Sequence, residues 1–363
     1  MRIDEASSRP YALRLARPWV AASATMTTRY GRLVALASDG IVGFGDCAPL
    51  PSSGEKGHAE TFRALDEALR ALAGEELEPL SGGLGERIAQ PQVRWAVETA
   101  LLDLQAKQNG LPLHRLLRQN SVSEVPVNAA LGRLDAGCVD RAQKAAQAGF
   151  AVAKIKVGVD PVERELEALK ELVGASGDVL SFRFDANRAW APAEAHRFLH
   201  ALVKMDGLRV DGVEEPLAGP TPHALAFLQA ELPFPLAADE SVPVLGADAL
   251  LEARAVRRLV VKPARIGGMD ATLDLARRAQ QAGVELVLTS VVDSAIGVMA
   301  AAHLAAALPT GQGLAHGLGT LAWLAEDVAA PPPIEMGVIR LAERPGLGLT
   351  PFDHLPGGDL FQG

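Results

Sequence analysis

Three carboxylates follow one another along the second half of the chain, each closing an apolar run. They are Asp185 in Ser181-Phe-Arg-Phe-Asp185, Glu214 in Val213-Glu-Glu-Pro216, and Asp239 in Leu236-Ala-Ala-Asp-Glu240. A lysine pair, Lys154 and Lys156, precedes them, and Lys262 follows in Leu259-Val-Val-Lys-Pro263. From Lys156 onward the gaps are 29, 29, 25 and 23 residues. Each is close to the ~30 residues of one strand-plus-helix unit with its loops.

Clustered carboxylates disfavour one another's ionisation, so three in one place call for a cation. Hard oxygen ligands with room for water suit Mg²⁺, with Mn²⁺ as a substitute. A carboxylate substrate beside such an ion has a more acidic α-proton. Lys156 or Lys262 then stands ready to take it from one face or the other. The chemistry expected is proton abstraction next to a carboxylate. Lys154 and Lys156 also each raise the cost of protonating the other, which favours a base at pH 7.

Something must bring these five strand ends together. From Val125 on, strand-like runs (126–130, 153–157, 182–185, 212–214, 236–239, 259–262, 286–289, and a weaker one near 313–316) alternate with helical stretches. The helices are expected over 140–148, 161–173, 193–204, 247–253 and 270–282. Such alternation is the pattern of an α/β fold with buried parallel strands. Eight units over roughly 200 residues fit a small (β/α)8 barrel, whose strand ends meet at one mouth. A doubly wound sheet instead carries its ligand at a topological switch point, not on five consecutive strand ends. In the barrel, strands two and six face each other, and with them Lys156 and Lys262. Strand alternation turns both Lys154 and Lys156 inward.

The first part of the chain reads differently. Strands are expected over 11–15, 32–37 and 41–45, the last two joined by a Ser38-Asp-Gly40 turn. Residues 17–26 read as a loop exposing Trp19 and Met26, and Pro49–Gly57 as a second loop. Helices are expected over 58–73 and 92–106, the latter stopped by Asn109-Gly110.

Composition excludes several classes. The formal charge is −9, aromatics make up 4% and no basic run occurs, so a nucleic-acid partner is not expected. Two cysteines, Cys47 and Cys138, suggest a reducing compartment rather than a disulfide framework. The start has no signal-peptide apolar region, and the most apolar stretch, 297–308, is too short to span a bilayer. A cytoplasmic protein acting on a small-molecule carboxylate is expected, with no membrane partner; the oligomeric state leaves no sequence signal.

Read together, these residues resemble the enolase superfamily in its muconate-lactonising and o-succinylbenzoate synthase branch. The matching pieces are Lys154-Ile-Lys156, Asp185-Ala-Asn187, Glu214-Glu-Pro216, Asp239-Glu-Ser241, Lys262-Pro263 with Ile266-Gly-Gly268, and the helix Val97-Glu-Thr-Ala-Leu-Leu-Asp103. The resemblance implies an α+β capping domain over 1–95, a barrel over 96–325 carrying metal and catalytic residues, and a tail over 326–363 that returns to the cap. It implies Mg²⁺ on Asp185, Glu214 and Asp239, with Lys156 as base.

Within the branch, Asp185-Ala-Asn-Arg-Ala-Trp190, the segment 289–297 and Gly317-Leu-Gly-Thr-Leu321 look most like the o-succinylbenzoate synthases of menaquinone biosynthesis. These are carbon–oxygen lyases that dehydrate 2-succinyl-6-hydroxy-2,4-cyclohexadiene-1-carboxylate. By that resemblance Lys156 would take the α-proton and return it to the leaving hydroxyl on the same face. Lys262 would steady the intermediate by its charge, and Lys154 would help hold the carboxylate. The segment Arg17–Thr28 departs from the family's usual arrangement.

Other positions have two readings. Asn187 is a site residue or a turn residue. Ser290 is a candidate for anion binding at a helix N-terminus, and Ser294 either shares that role or caps the helix. Arg183 points inward as an ion-pair partner or a substrate contact, and Trp19 and Met26 touch substrate or pack on the surface. His303 reads as core. The function also has competitors. Opposed lysines equally suit an N-acylamino-acid racemase or a dipeptide epimerase, although no Asp-x-Asp on the last barrel strand is present to hold an ammonium. A non-catalytic barrel that only binds carboxylates is the remaining reading.

Overall fold

The computed structural model describes residues 1–20, 25–49, 54–77, 84–176, 179–309 and 313–357. The N-terminal part is an antiparallel sheet of β1 (Glu5–Val20), β2 (Thr25–Ser38) and β3 (Ile41–Cys47), in that order. Asp39 and Gly40, with φ of 51° and 74°, form the tight turn into β3, the left-handed pair that such a hairpin requires.

Residues 17–20 and 25–26, the described parts of the expected loop over 17–26, instead continue the β1–β2 strand pair. Trp19 pairs with Met26 beyond a register shift between Arg14 and Trp19. The β-branched Val20, Thr25, Thr27 and Thr28 favour strands, and they prevail over the local loop signal of Arg17-Pro18. Residues 21–24 and 50–53, parts of the two expected loops, lie outside the described residues.

The helix Pro91–Gln108 is buried on nearly every side. It lies against β3, where Gly43 and Gly45 leave room: an added Cβ would stand 2.1 Å from the Ala100 carbonyl oxygen and 1.9 Å from that of Ala96. Two carboxylates of this helix tie the cap to the barrel. Asp103 accepts from the Phe44 and Leu347 amides at 2.8 and 2.7 Å. Glu98 accepts from the Met269 amide at 2.7 Å, at the N-terminus of the helix Met269–Gln281.

Burial pushes the Glu98 carboxyl up to about 7. Because its folded value lies above its ordinary one, its stabilising contribution is full at acid pH and is lost as pH rises through about 7. Wild-type urea midpoints should therefore fall more between pH 5 and pH 8 than those of Glu98→Gln, which keeps an acceptor for Met269 but cannot ionise. Equal slopes for the two proteins would contradict this.

Strand β4 (Glu124–Pro126) is not the first barrel strand. It pairs with the tail, as described below, and the first barrel strand begins three residues later, at Ala129. The barrel strands are β5 (Ala129–Arg133), β6 (Val152–Lys156), β7 (Ser181–Asp185), β8 (Val210–Glu214), β9 (Leu236–Ala238), β10 (Arg258–Val261) and β11 (Glu285–Leu288). They lie in sequence order in one sheet, and every pairing is parallel. Bridges from His316 to Val127 and from Gly317 to Thr289 close the ring. The eighth position is thus a two-residue contact, centred slightly later than the sequence suggests. The fold is the expected (β/α)8 barrel with a capping domain.

The tail forms β12 (Ile334–Glu335) and β13 (Val338–Arg340), the latter paired with β4. It then runs back over the cap, where the Ala12 amide reaches the Pro356 carbonyl at 2.8 Å.

Ion pairs fill the lumen of the barrel below the mouth. Arg183 Nε reaches Asp211 at 2.7 Å, and Arg258 reaches Asp211 at 2.6 Å and Glu285 at 2.8 Å. Burial opposes ionisation of Asp211, but the two guanidiniums outweigh it and hold its carboxyl below the usual range. Arg183 is therefore an ion-pair residue. No helix among the described residues is long and apolar enough to cross a membrane.

Candidate active site

Parallel register decides which side chains meet. Lys154 stands beside Arg183, Lys156 beside Asp185, and Asp185 beside Glu214. Neighbours in register share a face, so these charged groups all turn inward, while Ile155, Phe184 and Val213 turn out and are wholly buried. Asp239 and Lys262 each directly follow the last residue of β9 and β10. The six expected residues thus converge on one mouth.

Within it, Lys154 Nζ lies 2.5 Å from Glu214 Oε2 and 2.9 Å from Asp185 Oδ2. Lys262 Nζ contacts both oxygens of Asp239. Lys156 is more exposed and is bonded to no side chain among the described residues. Burial alone would push the Lys154 ammonium down, but Asp185, Glu214 and Asp239 around it prevail and hold it well above its ordinary value. At Lys154 these carboxylates outweigh the lysine–lysine repulsion expected from the sequence. Burial raises the Glu214 carboxyl.

The donor set suits a hard divalent cation, being three carboxylates with no nitrogen or sulfur ligand. Two of them already share one positive charge, the Lys154 ammonium. The ligand oxygens of Asp185, Glu214 and Asp239 do not all lie within 4.8 Å of one another; Lys154 bridges the first two, and Lys262 holds the third. Asp185, Glu214 and Asp239 fit the ion in kind and order.

The strand-end turns are held in uncommon conformations. Asn187, Arg188 and Glu215 have φ of 47°, 60° and 47°. The Asn187 amide donates to Asp185 Oδ1 at 3.0 Å, so its backbone orients that carboxylate while its side chain is exposed at the rim. Ser290 is almost buried and its hydroxyl pairs with that of Thr320 at 2.5 Å.

Ser294 departs from the expected role. It is wholly buried, its hydroxyl donates to Asp46 Oδ2 at 2.8 Å, and it makes no side-chain cap. It serves the cap–barrel joint and has no face toward a substrate. Trp19 and Met26 are half-buried in the hairpin. His303 is core, where its Nδ1 accepts from the His114 amide at 3.1 Å, and burial pushes it down to about 3.

Several supporting residues escape a sequence reading. Glu215 accepts from the Asp239 amide at 2.6 Å and from the Ser241 hydroxyl at 2.5 Å, fixing the end of the next strand. The doubled glutamate and the Asp239-Glu-Ser241 triplet were the available signal. Glu165 accepts from the Gly158 and Val159 amides at 2.8 and 3.0 Å, pinning the loop after Lys156. Arg29 reaches from β2 to the Val292 carbonyl at 3.1 Å and to Asp293 at 3.4 Å. It thereby braces Val292, whose φ of 55° is costly for a β-branched residue. Nothing in the local sequence marks Arg29.

Comparison with known proteins adds the following. A family model described as "Enolase C-terminal domain-like" matches residues 137–354, and one described as "Mandelate racemase / muconate lactonizing enzyme, N-terminal domain" matches residues 5–118. The chain is 28% identical over 323 residues to an L-Ala-D/L-Glu epimerase of Bacillus subtilis, covering 84% of this chain and 85% of the relative. It is 26% identical over 307 residues to an N-succinyl-L-Arg/Lys racemase of Bacillus cereus, covering 81% and 82%. The solved structure of a muconate lactonizing enzyme from Pseudomonas fluorescens, complexed with muconolactone, superimposes with a TM-score of 0.84 at 28% identity over 97% of both chains.

Proposed function

Because the chain belongs to the mandelate racemase and muconate lactonizing enzyme branch of the enolase superfamily, we propose that it removes the proton α to the carboxylate of a small organic acid. The observation that carries this reading is the placement of Lys156 and Lys262 on strands four apart in the ring, with three carboxylates on the arc between them.

Asp185, Glu214 and Asp239 would hold Mg²⁺, which when bound supplies positive charge against the negative charge that develops on the substrate carboxylate. Lys156, bonded to no side chain among the described residues, takes the α-proton from one face. Lys262 serves the opposite face, once it is released from Asp239. Lys154 acts by position: its ammonium orders Asp185 and Glu214 and offers a further donor to a substrate carboxylate. Asn187, exposed at the rim, and Ser290, buried against Thr320, remain the candidate substrate contacts.

The relatives favour an isomerase, an N-acylamino-acid racemase or dipeptide epimerase, in which both lysines exchange protons with the α-carbon. Between these two, acylated substrates suit the site better. The segment that closes the barrel, Ala315-His-Gly-Leu-Gly-Thr320, carries no carboxylate to receive a free ammonium.

A second reading, o-succinylbenzoate synthase, rests on a specific contact. The two segments that resemble that enzyme meet at the mouth, where Thr289 Oγ1 donates to the Gly317 carbonyl at 3.0 Å and Ser290 pairs with Thr320. A Cβ at residue 317 would stand 2.6 Å from Thr289 Oγ1, so the contact demands glycine there.

The test runs in D₂O with Mg²⁺, using N-succinyl amino acids in one arm and the cyclohexadiene precursor in the other. Racemisation with α-deuteration supports the isomerase, and fast dehydration without racemisation supports the lyase. Chelation of the metal should abolish either activity, and Mg²⁺ should restore it. Turnover that survives chelation would overturn the metal assignment.

A further inference from the structure

A second cluster with the geometry of a metal site lies on the outside of the barrel, away from the mouth. His196 and His200 sit one turn apart on the helix Pro192–Val203, and Glu231 ends the next helix, Pro222–Ala230. Their ligand atoms all lie within 4.8 Å of one another. Glu231 Oε2 is 3.1 Å from His200 Nε2 and 3.6 Å from His196 Nε2. The two imidazoles stack with centroids 4.0 Å apart and planes inclined by 33°.

An ordinary histidine–carboxylate hydrogen bond accounts for His200 alone. His196 brings the same kind of nitrogen to the same oxygen at 3.6 Å, within ion-pair range but too long for a hydrogen bond. A single ion between the three groups accounts for both. Tetrahedral bonds of about 2.0–2.1 Å place neighbouring ligand atoms about 3.3 Å apart, and the two measured separations bracket that value.

We propose that His196, His200 and Glu231 bind a zinc-class transition metal, with water at the fourth position. Two imidazoles and one carboxylate suit zinc, nickel or copper and not Mg²⁺, which prefers an all-oxygen shell. The side chains are 53%, 33% and 35% exposed, so an ion can enter from solvent. The two helices it joins follow β7 and β8, the strands that end in Asp185 and Glu214. The ion is a staple on the outer wall of two consecutive units of the active-site barrel.

Zinc chloride titrated by calorimetry into the full-length protein, saturated beforehand with Mg²⁺, tests this. One zinc per chain is expected, with affinity reduced at least tenfold in His196→Ala and again in Glu231→Gln. Nickel should compete, and bound zinc should raise the melting temperature of the wild type but not of the His196→Ala/His200→Ala double variant. Far-ultraviolet circular dichroism should show all variants folded, since these side chains lie on the surface. No zinc heat in the wild type, or an isotherm unchanged in the double variant, would overturn the assignment; the latter would place the zinc at the mouth.

Discussion

Lys156→Ala is expected to lower kcat by ~10²- to 10⁴-fold, the usual worth of a positioned general base, with little change in KM. The side chain stands at the exposed rim on the last residue of β6, so its removal leaves the buried ion pairs beneath intact and the protein folded. A stereochemical readout makes the result decisive. If both lysines exchange protons, Lys156→Ala should still wash deuterium into one enantiomer through Lys262, and Lys262→Ala should do so only with the other. If the enzyme is a lyase working on one face, Lys156→Ala should lose all exchange, while Lys262→Ala should lose rate without changing which proton leaves. Equal activity of wild type and Lys156→Ala would remove this residue from the mechanism.

Asp211→Leu should cost stability on the scale of breaking a buried ion pair, ~3–5 kcal/mol. Asp211 is the only carboxylate that bonds both Arg183 and Arg258 among the described residues. Both guanidinium side chains are at most 3% exposed. Without Asp211 their positive charges face each other, with Glu285 on Arg258 and the longer 3.9 Å approach of Glu214 to Arg183 as remaining compensation. A large fall in the urea midpoint is expected. Asp211→Asn should fall less, since it keeps a hydrogen-bond acceptor. An unfolding free energy for Asp211→Leu within about 0.5 kcal/mol of wild type, the range of a bland surface change, would show that the lumen tolerates unpaired guanidiniums.

The strand ends were legible because parallel strands buried on both faces read as unbroken apolar runs. A charge at the end of such a run, as Asp185 after Phe182-Arg-Phe or Lys262 after Leu259-Val-Val, has few structural explanations. Helices were equally legible, since the expected 140–148 and 193–204 became Cys138–Gln147 and Pro192–Val203. What failed depended on partners far away in the chain. Pro126 looks like the start of a barrel strand until the tail arrives to pair with it. Ser294 looks like a helix cap or an anion site until Asp46, 248 residues earlier, takes its hydroxyl. Arg17–Met26 is the exception, since its partner is local: Trp19 pairs with Met26 inside the same stretch, and the Arg17-Pro18 signal masked the strand pair. At the mouth, residue types and order were readable, but not their pairing. Lys154 is expected to feel its neighbouring lysine and to help hold a substrate carboxylate, and in the structure it is clasped by carboxylates from two other strands.

The return of the tail sets an order of events during synthesis. Arg9 bonds the Asp353 carbonyl across a separation of 344 residues, and Leu15 bridges to Leu324. Those partners follow the barrel in the chain, so β1 must wait, with part of its edge unsatisfied, while the barrel is translated. At ~5–20 residues per second, that wait is tens of seconds. For that interval β1, made before the barrel, waits to be completed after it, and the nascent chain exposes an open sheet edge to chaperones or to its neighbours.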